Sequence, residues 1–402
     1  MFFLDSFISE YVIKREHSMF SGDIRAHSDE LSEKIGGKSV LVIGGAGSIG
    51  SSFIRALLPF RPAALVVVDT NENALAELTR DLRSTRGMFV PADFVTYPMD
   101  FASPVFEKMF KKRGGFDIVG NFSAHKHVRS EKDIYSVEAL LQNNVLHAKT
   151  LLDLLKGYPP EAYFCVSTDK AANPVNIMGA SKRIMEDVIF SYSDHFPVKT
   201  ARFANVAFSN GSLPAGFLAR MAKLQPLSAP TDVKRYFVSP EESGQICLLA
   251  CVLGGNREIF FPKLEEAQMM TFDSIARSLL KVHGYETLEC ASDTEAIEKA
   301  EALRQGSREY PVHFSASDTS GEKPYEEFYT DTEVTDMRRF MSLGVITGKG
   351  IPDKERVGRL FRDLTAAFGR EETTKEEIVV VMKEYLPSFE HIETGRSLDS
   401  KM

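Results

Sequence analysis

The apolar positions of this chain fall into two rhythms. From Ser39 the sequence runs SVLVI with no polar break, then GGAGSIG, then SSFIRALLPF with apolar residues at helical spacing. ALVVVD (Ala64–Asp69), FDIVGNF (Phe116–Phe122), AYFCVS (Ala162–Ser167) and VKTARF (Val198–Phe203) are further near-continuous, β-rich runs. A strand that faces water on one side alternates; a strand buried on both faces does not. Between these runs, helical periodicity predicts helices over 73–82, 137–155 and 177–192. Non-alternating strands that take turns with helices predict an α/β fold, a doubly wound parallel sheet covered on both faces.

After Phe203 the pattern loosens. Gly211, Pro214, Pro226, Pro230 and Pro240 punctuate a mixed region that reaches about Gly344, which reads as a smaller mixed α/β domain built partly from returning chain. From Ile351 the periodicity is helical again, in DKERVGRLFRDLTAAF and in EETTKEEIVVVMKEYL. The second segment opens with capping-box spacing at Thr373/Glu376 and at Thr374/Glu377. At the other end, MFFLDSFISEYVIKREH is broken by Asp5, Glu10 and Lys14, so it reads as neither signal peptide nor membrane span. Its Phe3, Leu4, Phe7, Ile8 and Val12 predict an amphipathic helix docked on the body or on a partner subunit. The resulting division is an N-terminal helical extension (1–36), a nucleotide-binding domain (37–206), a substrate domain interleaved with it (207–345) and a helical tail (346–402).

Composition narrows the partners. A net charge of −8 leaves no basic excess to meet nucleic acid or an anionic membrane, though a small anionic ligand needs only local donors. Cys165, Cys247, Cys251 and Cys290 match no zinc or redox spacing, so no metal is expected, and reduced core cysteines fit a cytoplasmic protein.

GGAGSIG carries the first chemistry. Gly45-x-Gly47-x-x-Gly50 and Gly44-x-x-Gly47-x-x-Gly50 are both dinucleotide-binding spacings, set here between a strand and a helix as in a Rossmann fold. Glycine lets the chain turn tightly and lets backbone N–H groups approach a pyrophosphate, which makes Gly44, Gly47, Ser48, Ile49 and Gly50 the candidate cofactor contacts. Asp69 ends the next strand nineteen residues after Gly50 and can accept from both adenosine ribose hydroxyls. It would repel a 2′-phosphate, so NAD is favoured over NADP. Asp100, ending YPMD, is a candidate adenine contact or a solvated strand-end carboxylate.

VSTDKAANPVNIMGASKR (Val166–Arg183) carries the second. Asp169 and Lys170 are adjacent, so both face one site only if the strand ends near Thr168 and the chain bends. Met178 and Lys182 stand four apart and share a helix face, with methionine where a Tyr-x-x-x-Lys pair has its tyrosine.

With AHKHV (Ala124–Val128), QNNV, STDKA, NPVNIMGASKR, RFANV and a late GEKPYEEF (Gly321–Phe328), the chain resembles the extended short-chain dehydrogenases over roughly residues 37–345. Within them it is most similar to the UDP-N-acetylglucosamine 4,6-dehydratases of bacterial surface-sugar biosynthesis. The resemblance implies a soluble NAD-dependent enzyme that oxidises sugar C4, eliminates water across C5 and C6, and returns the hydride to C6. It implies Asp169 as the acid at the C6 oxygen, Lys170 as the C5 base and Thr168 as a partner of the 4-hydroxyl. Lys182 would hold the nicotinamide ribose. Met178 cannot take a proton, which leaves the C4 hydroxyl proton to Asp169; an isolated methionine would read as core filling, but this one stands four residues before Lys182 and eight after the Asp-Lys pair, so it is kept among the site residues. A neutral Lys170 asks for burial beside Lys126, His127 or Lys182.

Lys126, His127, Asn205, Ser212 and Arg235 are the candidate contacts to a UDP-sugar, with Arg235 as a diphosphate clamp. Asn144 matches a family asparagine near the nicotinamide. Asn144, Asn205 and His127 read equally well as satisfied structural side chains. His125, Arg129, Asn121-Phe122 and Thr319-Ser320 depart from the family's pattern and leave the exact sugar open. A nucleotide-sugar epimerase on the same scaffold and a silent NAD-binding scaffold are the alternatives. The helices over 137–155 and 177–192 correspond to the dimer contact of related enzymes, which implies a homodimer or a higher homo-oligomer.

Overall fold

A computed structural model of the chain describes residues 2–127, 131–317 and 323–393. Its main sheet has nine strands among these residues. They are β1 (Ser39–Ile43), β2 (Ala64–Asp69), β3 (Asp93–Pro98), β4 (Ile118–Asn121), β5 (Ala162–Val166), β6 (Val198–Ala201), β7 (Glu258–Pro262), β8 (Val334–Asp336) and β9 (Leu343–Thr347). Their order is β8-β9-β7-β6-β5-β4-β1-β2-β3. Neighbours from β3 across to β7 are parallel. β9 and β8 extend the β7 edge antiparallel. The strand order reverses between β1 and β4, and in such sheets ligands bind in the crevice outside the carboxyl ends at that point. The doubly wound reading of the sequence holds, and the buried runs Val40–Ile43 and Leu65–Val68 are its centre.

The smaller region is built from short pairings. Leu227–Pro230, Glu286–Glu289 and Glu309–Ser315 form a three-stranded parallel sheet. Asn205–Val206 pairs with Phe237–Val238, and Lys234–Arg235 with Met270–Thr271. A separate apolar cluster of Phe217, Leu227, Ile275, Leu279, Tyr310 and Val312 fills this region, joined by Phe7, Ile8 and Val12. The N-terminal segment therefore docks on the body through its apolar face, as its pattern implied. Strands β7 and β8 lie beyond residue 206 and still complete the first sheet, so the two regions interleave.

One expected helix is interrupted. Residues 137–155 do not run as a single α-helix: a π-turn, Gln142–Leu146, separates Ile134–Leu141 from His147–Lys156. Such wide turns gather at functional positions. This one carries Asn144, whose Oδ1 accepts from His125 N (3.0 Å) while its Nδ2 donates to His125 O (2.9 Å) and Ser181 Oγ (3.1 Å).

The tail forms two helices, Lys354–Phe368 and Lys375–Tyr385. Thr374 and Glu377 make the reciprocal cap; Thr373 donates instead to the Ala367 carbonyl. Leu360, Phe361, Leu364, Ile378 and Met382 enter the main core, Lys149 lies over the Phe361 ring, and Tyr385 Oη donates to Asp187 (3.4 Å). The tail thus touches both members of the helix pair expected to meet a second subunit. Helix Ile177–Phe190 has twelve of its fourteen residues buried and no broad free face.

A buried ionic network locks that helix to the sheet. Arg202, fully buried just past β6, donates from Nε and Nη2 to the two carboxylate oxygens of Glu186 (2.8 and 2.7 Å) and from Nη1 to Glu333 (2.7 Å). Ser167 Oγ donates to Glu186 (2.7 Å), and Lys349 donates to Glu333 (2.6 Å). Burial pushes the Glu333 carboxyl up, but hydrogen bonds and charge from Arg202 and Lys349 outweigh it and bring it down to about 2. Removing one partner of such a group strands the others. Arg202→Ala is expected to lose on the order of 3–5 kcal/mol in urea unfolding. Because Glu333 is held below its unfolded value, its contribution is present above about pH 4.3 and lost as pH falls toward 2. An acid titration of stability should show that loss in the wild type and a shallower one in Glu333→Gln.

Candidate active site

The glycine loop sits at the switch point. Gly44 holds φ +69, and a side chain on Gly50 would come within 2.4 Å of the Gly44 carbonyl, so both positions are closed to larger residues. Around Gly47 the nearest protein atom to an added Cβ stands at 3.4 Å, leaving that face open. Helix Ser48–Leu57 starts there with no side-chain cap, so its first N–H groups point toward the space where an anion binds. Asp69 Oδ2 accepts from Ala46 N (3.0 Å) and Oδ1 from Asn71 N (3.0 Å), placing the carboxylate against the loop. Ser48 Oγ accepts from Asn210 N (2.9 Å), tying the loop to the smaller region. A dinucleotide fits these residues: an open glycine face, uncapped amides and a carboxylate at the end of β2. Asp100 is exposed and accepts from Ala102 N (2.8 Å) in its own turn.

β5 ends at Val166 and the chain bends into a short turn, Asp169–Ala171, at the carboxyl edge of the sheet. Asp169 is 2% exposed. Its Oδ1 accepts from Thr168 Oγ1 (2.8 Å), Lys170 N (2.9 Å) and Lys170 Nζ (3.2 Å). The facing helix comes very close: a side chain on Gly179 would lie 2.7 Å from the Lys170 carbonyl. Lys182, one turn on, is buried and donates to the Val166 carbonyl (3.1 Å), and burial pushes its ammonium below the ordinary lysine value. Met178 is 3% exposed and part of the main core. Thr168, Asp169, Lys170 and Lys182 thus meet at one edge, with a chemically inert Met178 beside them.

Two carboxylates join this edge that spacing alone did not single out. Glu131 accepts from Ile177 N (3.0 Å) and Met178 N (2.9 Å), capping the helix that bears Lys182. The tail braces it, with Lys375 donating to the Glu131 carbonyl (2.7 Å) and Ile392 N to the Val175 carbonyl (3.0 Å). Glu326, 4% exposed, stands 3.8 Å from Lys170. It lies in the GEKPYEEF segment, whose charge pattern was the available signal.

The candidate substrate contacts divide. Asn205 Nδ2 and Glu326 Oε2 are buried with no hydrogen-bond partner, an arrangement that folded proteins keep for a ligand or water. Arg235 is buried, and its Nη1 donates to the carbonyls of Lys234, Lys323 and Pro324, so the guanidinium seats the 323–324 backbone. Ser212 Oγ accepts from Ala215 N (3.4 Å) as a helix cap. Lys126 and His127 are exposed, and the His127 ring lies against Gly211. Asn144 ties the backbone at His125 to Ser181 on helix Ile177–Phe190 through the hydrogen bonds given above. Arg129, Thr319-Ser320 and the Gly321-Glu322 part of GEKPYEEF lie outside the described residues. The four cysteines are all buried thiols, with Cys251 pushed up to about 11 by burial. Among the described residues no helix is long and apolar enough to cross a membrane.

Comparison with known proteins agrees with this architecture. The family model described as polysaccharide biosynthesis protein matches residues 40–342. A probable polysaccharide biosynthesis protein, EpsC of Bacillus subtilis, is 28% identical over 327 residues, which are 80% of this chain and 50% of that protein. The chain thus spans about half the length of that relative. A UDP-N-acetylglucosamine 4,6-dehydratase (inverting) of Campylobacter jejuni is 22% identical, covering 78% of this chain and 89% of its own. Among solved structures, the dTDP-glucose 4,6-dehydratase DesIV of Streptomyces venezuelae, with NAD and TYD bound, superposes with a TM-score of 0.55 at 20% identity, covering 72% of this chain and 88% of that one. At that identity the likeness speaks for the fold.

The loop geometry yields a direct test. Asp69→Ala should weaken NAD binding by about tenfold or more in titration calorimetry, roughly the loss of one charge-assisted hydrogen bond. Unchanged affinity would mean that the ribose is held elsewhere.

Proposed function

Since the chain belongs to the polysaccharide biosynthesis protein family, we propose that it is a sugar-nucleotide 4,6-dehydratase acting on UDP-N-acetylglucosamine or a close relative. The observation that carries this reading is the Thr168–Asp169–Lys170 turn, packed against the helix of Lys182 at the carboxyl edge of the sheet. A simple C4 epimerase has no use for an acid at C6 or a base at C5. Held along Gly44–Gly50 and Asp69, NAD would supply the hydride acceptor at C4 and the hydride donor at C6.

The chain's own groups move the protons. Asp169 Oδ1 is fixed by three donors, which aims Oδ2 at the sugar. Oδ2 takes the C4 hydroxyl proton, directly or through a water, and gives it to the C6 oxygen as that oxygen leaves as water. Lys170, as free amine, takes the C5 proton and later returns a proton to the same carbon. Two protons are taken and two returned, so the site ends as it began. Lys182 would hold the cofactor's ribose, and Met178 fills the adjacent wall without entering the proton chain. The unpaired Asn205 Nδ2 is suited to an oxygen of the nucleotide.

Incubation with UDP-N-acetylglucosamine in deuterated water, followed by mass spectrometry, tests the reading. Loss of one water with gain of one deuterium is the expected result. Lys170→Ala should lower turnover by about a hundredfold or more while leaving cofactor bound. An unchanged mass with altered hexosamine configuration would instead identify an epimerase.

A further inference from the structure

The mechanism asks Lys170 to act as a base, and a lysine that enters as an ammonium must first hand its proton to a receiver within reach. Two carboxylates stand beside it: Asp169 at 3.2 Å and Glu326 at 3.8 Å.

The two carboxylates differ as receivers. Three donors already converge on Asp169 Oδ1, and the mechanism gives its other oxygen to the sugar's hydroxyl protons. Glu326 is as deeply buried, but its Oε2 accepts no hydrogen bond, with Lys323 Nζ at 3.5 Å. Burial pushes the Glu326 carboxyl up, against the pull of Lys170. The backbone that carries it is seated independently, through Arg235 and the carbonyls of Lys323 and Pro324.

We propose that Glu326 is the proton acceptor of Lys170, a positioning residue that turns the ammonium into the C5 base. When bound sugar shuts water out, a buried ion pair loses its solvation and the neutral pair gains on it. The ammonium N–H passes its proton to Glu326 Oε1, across the gap or through one water, leaving amine and carboxylic acid. The amine then forms an N–H bond with the C5 proton, and the C5–H electron pair enters the enolate of the 4-ketone. On the return the ammonium reprotonates C5, and Glu326 gives its proton back to the amine when the product leaves. No oxidant or further reactant is involved in this relay. It rests on the dehydratase reading above and deepens its proton step.

The test isolates that step from hydride transfer. Full-length wild type, Glu326→Gln and Glu326→Asp are each mixed with a UDP-4-keto-6-deoxy-N-acetylhexosamine in deuterated water, and C5–H exchange is followed by NMR. The Gln variant should exchange about a hundredfold more slowly at pH 7, with KM and melting temperature unchanged. Its rate should climb with pH, as hydroxide takes over from the missing receiver. The Asp variant should recover part of the neutral-pH rate. A Gln variant that matches wild type, or one whose deficit is the same at every pH, overturns the relay and leaves the dehydratase reading intact. A wild type that neither exchanges C5–H nor dehydrates UDP-N-acetylglucosamine overturns that reading and the relay with it.

Discussion

The site depends on how Arg202 and Glu186 are held together in the core. Glu186 lies one turn beyond Lys182, and its carboxylate receives Arg202 from the end of β6 and Ser167 from the residue after β5. One ion pair thereby fixes three things: the helix rotation that aims Lys182, the end of the strand, and the start of the turn that carries Asp169 and Lys170. Glu333 and Lys349 extend the pair to the antiparallel edge. A buried pair of this kind adds little net stability over an apolar core of equal volume, but breaking it is costly. Its value is registry, because a proton-transfer site tolerates little displacement.

Most of the sheet was legible because the relevant signal is local. SVLVI, ALVVVD and AYFCV became β1, β2 and β5 to within a residue, since strands buried on both faces have few alternatives. The π-turn at Gln142–Leu146 was not legible, because its cause is Asn144 reaching His125 and Ser181, both remote in sequence. The contacts of the tail with the helix pair were hidden for the same reason. Periodicity showed that the tail helices are amphipathic but not which face they would meet.

The turn at Asp169–Ala171 was readable from STDKA, because adjacent residues meet at one edge when the strand stops at the right place. What surrounds it was not. Glu131 and Glu326 arrive from distant segments, the second to within 3.8 Å of Lys170. Arg235 carries a contact that the sequence did not show: its Nη1 seats the backbone at Lys323 and Pro324. Met178 packs in the core, and the proposed proton chemistry is assigned to the turn of Asp169 and Lys170.

The most direct measurement of the central claim is a crystal structure of the full chain with NAD and UDP-N-acetylglucosamine. The account places Lys170 Nζ about 3–3.5 Å from sugar C5, with Asp169 Oδ2 within hydrogen-bond reach of the C6 oxygen. A sugar bound with C5 and C6 turned away from both residues would contradict it.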